Sequence, residues 1–269
     1  MTMGRNLIKF EVDEGVGIIT LNRADRLNAI DWDMAAHLAE LLKEIRHRDE
    51  VRAILLRGEG RSFCAGGDLG WVDEGSLLGE RKVPRFQRKN PFGPFADVTR
   101  GIISVDKPVI AALQGHVVGV GLVYALAADR RFADETTRLS AIFVKRGVVP
   151  ECGMSYFLPR IAGVATALKM MTTGAWLNAE EAKAVGIIDE LFPVGEALPA
   201  ALQYAKELAR GASTAVEMAR RMVYKGLATD LEGAIDFETM ASVIASNTSD
   251  AKEGVKAFLE KREANFTGE

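Results

Sequence analysis

The chain has 269 residues, of which 48% are hydrophobic and 26% charged, a composition typical of a globular protein that folds without disulfides or metal. The 34 basic and 37 acidic side chains leave a net charge of −3, so no basic surface for nucleic acid is expected. The opening residues lack the apolar run of a signal peptide, and no stretch has the composition of a membrane span. We therefore expect a soluble cytoplasmic enzyme.

Metal, redox and nucleophilic chemistry find little support in the sequence. Cys64 and Cys152 are isolated, which indicates buried thiols in a reducing compartment. The three histidines, His37, His47 and His116, do not have the spacing of metal ligands. A Ser-His-Asp triad would have to use His116, and no serine near it is placed on a strained turn. No metal or redox cofactor is expected.

The first 130 residues alternate segments typical of strands and helices. Short apolar runs predict strands at residues 7–12, 16–21, 53–57 and 109–113. An apolar stripe at helical spacing follows Asp31 or Asp33, either of which can cap a helix that reaches Ile45. Another short helix is predicted around residues 95–105. Glycine-rich turns follow the last two strands, so the pattern predicts an α/β fold of stacked ββα-like units.

The pattern changes after about Asp189, where strand signals stop. Helices are predicted at 195–210, 213–229, 231–246 and 249–263, the third without a strong cap signal. We therefore place a boundary near residue 195, between an α/β core (1–194) and a helical C-terminal region (195–269). This region has too few apolar positions to form a large core, so we expect it to pack on a neighbouring subunit.

Two glycine-rich turns, at 66–67 and 119–121, are the best candidates for chemistry because each lies where a strand ends. Glycine permits unusual φ values and close approach, so these turns can expose backbone N–H groups. Two such donors on one oxygen form an oxyanion hole, helped at the second turn by the dipole of a following helix. A dinucleotide fingerprint is disfavoured, since its third glycine would fall at Tyr124. On spacing alone, tight turns are the simpler interpretation.

Five longer motifs occur in order along almost the whole chain. They are LNRADRLNA (21–29), RSFCAGGDL (61–69), KPVIAALQGH (107–116), the glycine turn and helix at 119–129, and AFLEKREANF (257–266). Together they resemble the crotonase (enoyl-CoA hydratase/isomerase) superfamily. The resemblance implies a crotonase-like ββα spiral core with a helical C-terminal trimerisation region, and a homotrimer or dimer of trimers.

The resemblance assigns roles to residues of this sequence that match the family's motifs. The N–H groups of Gly67 and Val120 correspond to the donors that bind the thioester carbonyl of an acyl-CoA and stabilise an enolate. The positions that correspond to the family's CoA contacts are Arg26, Leu27, Asn28, Ala65, Asp68 and Leu69. Coenzyme A enters as part of the substrate, so no separate cofactor is implied.

Other candidate contacts remain open between binding and packing. Phe258 and Lys261 match residues that reach the CoA of a neighbouring subunit, although core packing of Phe258 is an equal alternative. Four aromatic residues either line the acyl pocket or pack: Trp71, Phe86, Phe92 and Phe143.

The departures from the family pattern bear on the reaction. Hydratases of the family use two glutamates, and the matching positions here are Val123 and Phe143, which cannot exchange protons. Glu151 supplies a carboxylate eight residues after Phe143, where relatives that shift the double bond of enoyl-CoA esters carry an acid. The segment from Pro150 to Arg160 resembles Δ3,Δ2-enoyl-CoA isomerases. The alternative role for Glu151 is to stabilise the N-terminus of the following helix.

The resemblance therefore implies an acyl-CoA enzyme that forms a thioester enolate, with Glu151 as the single acid and base of a double-bond shift. Hydration of a 2-enoyl-CoA by Glu151, alone or with a partner from residues 70–94, is the first alternative. A catalytically silent member that binds acyl-CoA is the second, because both usual glutamates are missing.

Overall fold

The computed structural model describes residues 6–68 and 93–269. Its strands are β1 (Ile8–Asp13), β2 (Val16–Leu21), β3 (Ala53–Gly58), β4 (Val109–Leu113), β5 (His116–Val118), β6 (Arg130–Asp134), β7 (Arg138–Ser140), β8 (Trp176–Asn178) and β9 (Glu190–Phe192). Within the described residues they form a six-stranded sheet in the order β1-β2-β3-β4-β6-β9 and a three-stranded sheet in the order β5-β7-β8. The β1–β2 and β7–β8 pairs are antiparallel and the other pairs are parallel.

The helices are α1 (Trp32–Arg46), α2 (Gly93–Ser104), α3 (Val120–Ala127), α4 (Met154–Thr173), α5 (Ala179–Ala184), α6 (Ala197–Ala209), α7 (Ser213–Gly226), α8 (Leu231–Ser246) and α9 (Ser249–Glu260). Asp31 is the N-cap of α1, as predicted, and its carboxylate accepts the Met34 N–H at 2.8 Å. Gly163 has a non-helical backbone (φ 77°, ψ 160°) and divides α4 into two segments. In the described part of the chain, no helix combines the length and apolar composition needed to cross a bilayer.

The large sheet is buried on both faces because its central strands are parallel and covered by helices. In β3, Ile54 and Leu56 join the larger core with α1, α2 and α3, while Ala53 and Leu55 belong to a second core under α6. Successive side chains of β3 thus point to opposite faces of the sheet and contribute to both hydrophobic cores.

Two sequence predictions in the C-terminal part were wrong. Strands do not stop near Asp189, because β9 pairs in parallel with β6. Three half-buried residues are too short for a strand pattern, and their conformation depends on the partner strand. The third C-terminal helix is capped after all, since the Asp230 carboxylate accepts the Gly233 N–H at 2.9 Å.

The helices after residue 195 differ in what they cover. Helix α6 packs on the large sheet through Ala201, Ala205 and Ala209, so the start of the predicted C-terminal region contributes to the core. Helices α7, α8 and α9 expose large apolar side chains, among them Val223, Leu227, Leu231, Ile235, Val243, Phe258 and Leu259. The boundary near residue 195 and the trimer stay predictions, and these exposed side chains favour a protein partner.

Candidate active site

The two glycine turns lie against each other. Gly66 has φ +101° and Gly119 has φ +55°, conformations that favour glycine. A Cβ added to Gly66 would lie 3.1 Å from the Val118 carbonyl oxygen and 3.9 Å from the Cα of Gly119. Glycine is therefore required at both positions, because the backbone has a positive φ and because the two turns approach each other closely.

The N–H of Gly67 points away from Ile30, the residue with which Gly67 forms a backbone bridge. Gly67 forms an isolated parallel bridge with Ile30, in which the Ile30 N–H donates to the Gly66 carbonyl at 2.8 Å and the Asp68 N–H donates to the Ile30 carbonyl at 2.8 Å. The Gly66 carbonyl and the Gly67 N–H belong to one planar trans peptide, so they point in opposite directions. Among the described residues, no acceptor is bonded to this N–H, and the Cα of Gly67 faces open space.

The N–H of Val120 is available for a related reason. Val120 is the first residue of α3, and the preceding carbonyl, that of Gly119, accepts the Val123 N–H at 3.1 Å. The carbonyl points along the helix, so the Val120 N–H of the same peptide points out of the N-terminus. No acceptor for it occurs in the described part of the chain. The neighbouring turns thus present two unpaired donors of the kind an oxyanion hole needs.

Glu151 lies in the loop between a 3-10 helix (Ile142–Arg146) and α4. The next two residues, Cys152 and Gly153, have φ of +57° and +107°. The carboxyl group is half-buried and has no hydrogen bond or ion pair to any described residue. Burial raises its pKa from 4.5 to about 7. The N-cap of α4 is Gly153 and receives no side-chain hydrogen bond, so Glu151 does not cap this helix by a hydrogen bond. Its alternative role, interaction of the carboxylate with the dipole of α4, stays a prediction.

Two groups that interact electrostatically with Glu151 are themselves buried, the phenol of Tyr124 and the thiol of Cys152. Tyr124 is fully buried on α3 and its hydroxyl donates to the Phe95 carbonyl of α2 at 3.2 Å. Burial raises the pKa of Tyr124 and of Cys152, and the nearby charge of Glu151 raises both further. Burial thus disfavours the charged form of all three groups.

The two positions of the family's glutamates are apolar and buried. Val123 lies inside α3 with 0% exposure, and Phe143 in the 3-10 helix is 8% exposed. The Phe143 ring comes within 3.9 Å of a Cβ placed on Gly119, so this ring adjoins the second glycine turn. Neither position therefore supplies a carboxylate to accompany Glu151.

The predicted CoA segment 26–28 has a tightly held backbone. Arg26 is exposed, and Leu27 and Asn28 have left-handed backbones with φ of 51° and 57°. The Asn28 side chain is fully buried; its amide donates to the carbonyls of Glu59 and Ser62, and its oxygen accepts the Arg23 N–H. Because the buried Asn28 side chain bonds to protein groups, a ligand at this segment would contact Arg26 or Leu27 and not the Asn28 side chain.

The other predicted CoA residues are placed unevenly. The Ala65 N–H donates to the Leu27 carbonyl at 2.9 Å, which joins the two predicted segments. Asp68 forms an ion pair with Arg23 at 2.6 Å. Leu69 lies outside the described residues, as do three of the aromatic candidates, Trp71, Phe86 and Phe92.

The C-terminal candidates are on the surface. Phe258 in α9 is 83% exposed, so it does not pack in the core of its own chain. Lys261 is exposed and ends α9 with a left-handed backbone (φ +55°). Their predicted contact with a neighbouring subunit's CoA stays a prediction.

A serine does lie beside His116, which the sequence did not indicate. The Ser62 hydroxyl oxygen is 3.2 Å from the His116 Nδ1. Ser62 is 1% exposed, and no carboxylate in the described ranges bonds to the imidazole. A buried hydroxyl without an oriented base is not a nucleophile, so this pair is structural.

Comparison with known proteins identifies the family. The family model described as enoyl-CoA hydratase/isomerase matches residues 11–269. The chain belongs to this family. It is 34% identical to the 1,2-epoxyphenylacetyl-CoA isomerase of Escherichia coli (strain K12), over 96% of this chain and 97% of that one. It is 35% identical to the enoyl-CoA hydratase ACTT3 of Alternaria alternata, over 94% of this chain and 83% of that one.

A solved structure agrees with this family. The crystal structure of an enoyl-CoA hydratase from Bacillus anthracis superposes with a TM-score of 0.88 at 28% identity, covering 98% of this chain and 100% of that one. The predicted crotonase fold, superfamily and enzyme class are confirmed. Relatives named isomerase and hydratase both occur, so the special resemblance to Δ3,Δ2-enoyl-CoA isomerases stays a prediction.

Proposed function

We propose that this enzyme shifts the double bond of a 3-enoyl-CoA to give the 2-enoyl-CoA, with Glu151 as its only acid and base. The Glu151 carboxylate removes a proton from C2, and the electron pair of the C–H bond moves into the thioester. The oxygen of the resulting enolate receives hydrogen bonds from the Gly67 and Val120 N–H groups. The carboxylic acid then returns the proton to C4, the double bond forms between C2 and C3, and no atom is gained or lost.

The single observation that carries the proposal is the half-buried carboxyl of Glu151, which has no partner among residues 6–68 and 93–269 and a pKa of about 7. A group that must first accept and then donate the same proton works best when its pKa is near the working pH. An ion-paired carboxylate would be too weak a base for the first step and too weakly protonated for the second.

Hydration of a 2-enoyl-CoA is the second candidate, favoured by the relatives named hydratase. That reaction must activate a water and protonate C2, which the family does with two carboxylates. Val123 and Phe143 occupy both positions here, so hydration would need Glu151 alone or a partner from residues 70–94.

The test is to incubate the protein separately with 3-enoyl-CoA and 2-enoyl-CoA of several chain lengths and to identify the products. Conversion of the 3-enoyl ester to the 2-enoyl ester supports the proposal, and a 3-hydroxyacyl product from the 2-enoyl ester supports hydration. 1,2-Epoxyphenylacetyl-CoA belongs in the panel because one relative is named for it. No conversion of any substrate, despite measurable acyl-CoA binding, would favour a silent acyl-CoA-binding protein.

A further inference from the structure

One guanidinium lies between the loop before α1 and the strand segment that carries Gly67. The Arg23 side chain is 10% exposed. It contacts the Asp68 carboxylate at 2.6 Å, the Ala29 carbonyl at 3.0 Å and the Asp31 carboxylate at 3.5 Å. Arginine suits this place because its planar fork reaches several acceptors at fixed angles, which a lysine cannot do.

These acceptors flank both partners of a single bridge. Ala29 and Asp31 lie on either side of Ile30, and Asp68 follows Gly67 directly. The Ile30–Gly67 bridge is isolated, so no longer ladder of strand hydrogen bonds fixes its register. Arg23 therefore joins the segment around Ile30 to the segment around Gly67 on both sides of their bridge, which fixes the position of one segment relative to the other.

Arg23 is itself rigidly attached. Its backbone N–H donates to the Asn28 side-chain oxygen at 2.8 Å, and its carbonyl accepts the Asn28 N–H at 2.9 Å. The Asn28 amide in turn donates to the carbonyls of Glu59 at 2.9 Å and Ser62 at 2.7 Å. Hydrogen bonds therefore join the loop at residues 23–28 to the segment at residues 59–62 that leads to Gly67. The Arg23 guanidinium adds a further link at Asp68.

We infer that Arg23 is a positioning residue for the Gly67 N–H, an inference that rests on the proposed function because it needs that N–H to bind the thioester oxygen. Gly67 has no side chain to anchor it, and none of the described residues lies within 4 Å of where its Cβ would be. The direction of its N–H is set by the peptide shared with the Gly66 carbonyl, and thus by the bridge that Arg23 grips. A small misdirection of a donor weakens an interaction that is strongest in the transition state.

The test uses Arg23→Gln and reports on the carbonyl itself. A saturated acyl-CoA labelled with 13C at the thioester carbonyl cannot isomerise, and its infrared stretch falls when the oxygen accepts hydrogen bonds. We expect the parent to lower this frequency and Arg23→Gln to lose more than half of the shift. For turnover of 3-enoyl-CoA we expect kcat to fall about tenfold, with little change in KM.

Arg46→Gln is the matched control, because Arg46 makes a 2.9 Å ion pair with Asp106 at the other end of α1. We expect the carbonyl frequency and kcat of this variant to equal those of the parent. If Arg23→Gln does not fold, Asp68→Asn removes the other charge of the pair and should reduce the shift in the same way. Arg23→Lys should restore part of the shift, since one charged contact remains.

Parental carbonyl frequency and kcat in a folded Arg23→Gln or Asp68→Asn protein would overturn the inference, as would a change in melting temperature alone. A parent that binds the labelled ester without lowering its frequency would overturn the oxyanion hole and this inference together. A parent that lowers the frequency but does not isomerise leaves the positioning role testable while the proposed reaction fails.

Discussion

Two half-buried carboxyl groups, those of Asp129 and Glu151, have opposite environments. Asp129, just after the C-terminus of α3, accepts hydrogen bonds from the Val109 N–H at 2.7 Å, the Arg220 guanidinium at 2.7 Å and the Tyr224 hydroxyl at 2.6 Å. Glu151 is also half-buried but accepts none from the described residues. Hydrogen bonds and an ion pair compensate the desolvation of the Asp129 carboxylate. For Glu151, burial raises the free energy of the charged form.

The Asp129 cluster ties three parts of the chain together. Arg220 on α7 also donates to the carbonyls of Ile102 at 3.0 Å and Ile103 at 2.9 Å, in the last turn of α2. A C-terminal helix is thereby fixed to the core through satisfied polar groups. A carboxylate with several partners thus stabilises the fold, whereas the buried Glu151 carboxyl has a raised pKa, which suits proton transfer.

The largest expected effect separates the two carboxylates by activity. Glu151→Gln should lower turnover of 3-enoyl-CoA by about 10²–10⁴, the range for loss of a general acid and base, while acyl-CoA affinity is kept. In the parent, the rate at low substrate should rise with pH up to about 7 and then level, because the carboxylate removes the first proton.

Steady-state kinetics across pH 5 to 9, the range that brackets this titration, is the measurement. The surface variant Glu135→Gln is a suitable control for the loss of an exposed carboxylate. Unchanged turnover in a folded Glu151→Gln protein would contradict the mechanism, and a surviving pH step near 7 would assign the titration to another group.

The next effect concerns the backbone donor of Gly67. Gly67→Pro deletes the N–H, whereas Gly67→Ala keeps it and adds a Cβ that has no described residue within 4 Å. Loss of one oxyanion donor costs about 2.7–4 kcal/mol, so turnover should fall about 10²–10³-fold in the Pro variant and clearly less in the Ala variant.

Circular dichroism and melting curves must first show that both Gly67 variants fold like the parent, because proline can strain the backbone. Equal turnover of a well-folded Pro variant and the parent would mean that the thioester oxygen is not held at Gly67.

The longer elements could be predicted from the sequence because their signals are local. Strands β2 and β4 lie at the predicted residues, and α1 begins after the predicted cap Asp31. Strands β5, β7, β8 and β9 have three residues each, too few for an alternation signal. Their conformation depends on partners distant in sequence, so single-sequence patterns miss them.

The site followed the same division. The motifs predict Gly67, Val120 and Glu151 as site residues because they resemble those of the family, and these roles stay predictions. Two other features depend on contacts between distant segments: no described residue pairs with the Glu151 carboxyl, and Arg23 forms an ion pair with Asp68. Arg23 lies inside the first motif, but nothing local distinguishes it from Arg26, which is exposed.

A smaller effect is expected on stability from the hydrogen bond between Tyr224 and Asp129. Tyr224→Phe removes one hydrogen bond to the Asp129 carboxylate and should lower the free energy of unfolding by about 1.5–3 kcal/mol, the usual range for a charged acceptor. Activity per folded molecule should not change. Tyr204→Phe is the matched control, since Tyr204 contacts Phe132 through its ring and its hydroxyl has no partner in the described residues. Denaturant unfolding measures both, and equal losses would show that the Asp129 bond contributes nothing specific.

The smallest expected effect is a stability change whose sign distinguishes the two carboxylates. In the folded protein the pKa of Glu151 is about 7, against 4.5 for an unhindered glutamate. Below pH 4.5 the group is protonated in both states and burial costs nothing extra. Between these values the folded state binds more protons than the unfolded state, so stability falls as pH rises. Glu151→Gln removes this penalty.

The variant should therefore melt at the parental temperature at pH 4.5 and gain progressively on the parent until about pH 7, beyond which the difference is constant. The gain should be modest because the carboxyl is only half-buried. Asp129→Asn should have the opposite sign at neutral pH, because it removes a charge that has three partners. Paired melting curves across this pH range decide the matter. A Glu151→Gln protein that loses stability relative to the parent as pH rises would mean that the carboxylate has a stabilising partner, and that Glu151 is a structural residue like Asp129.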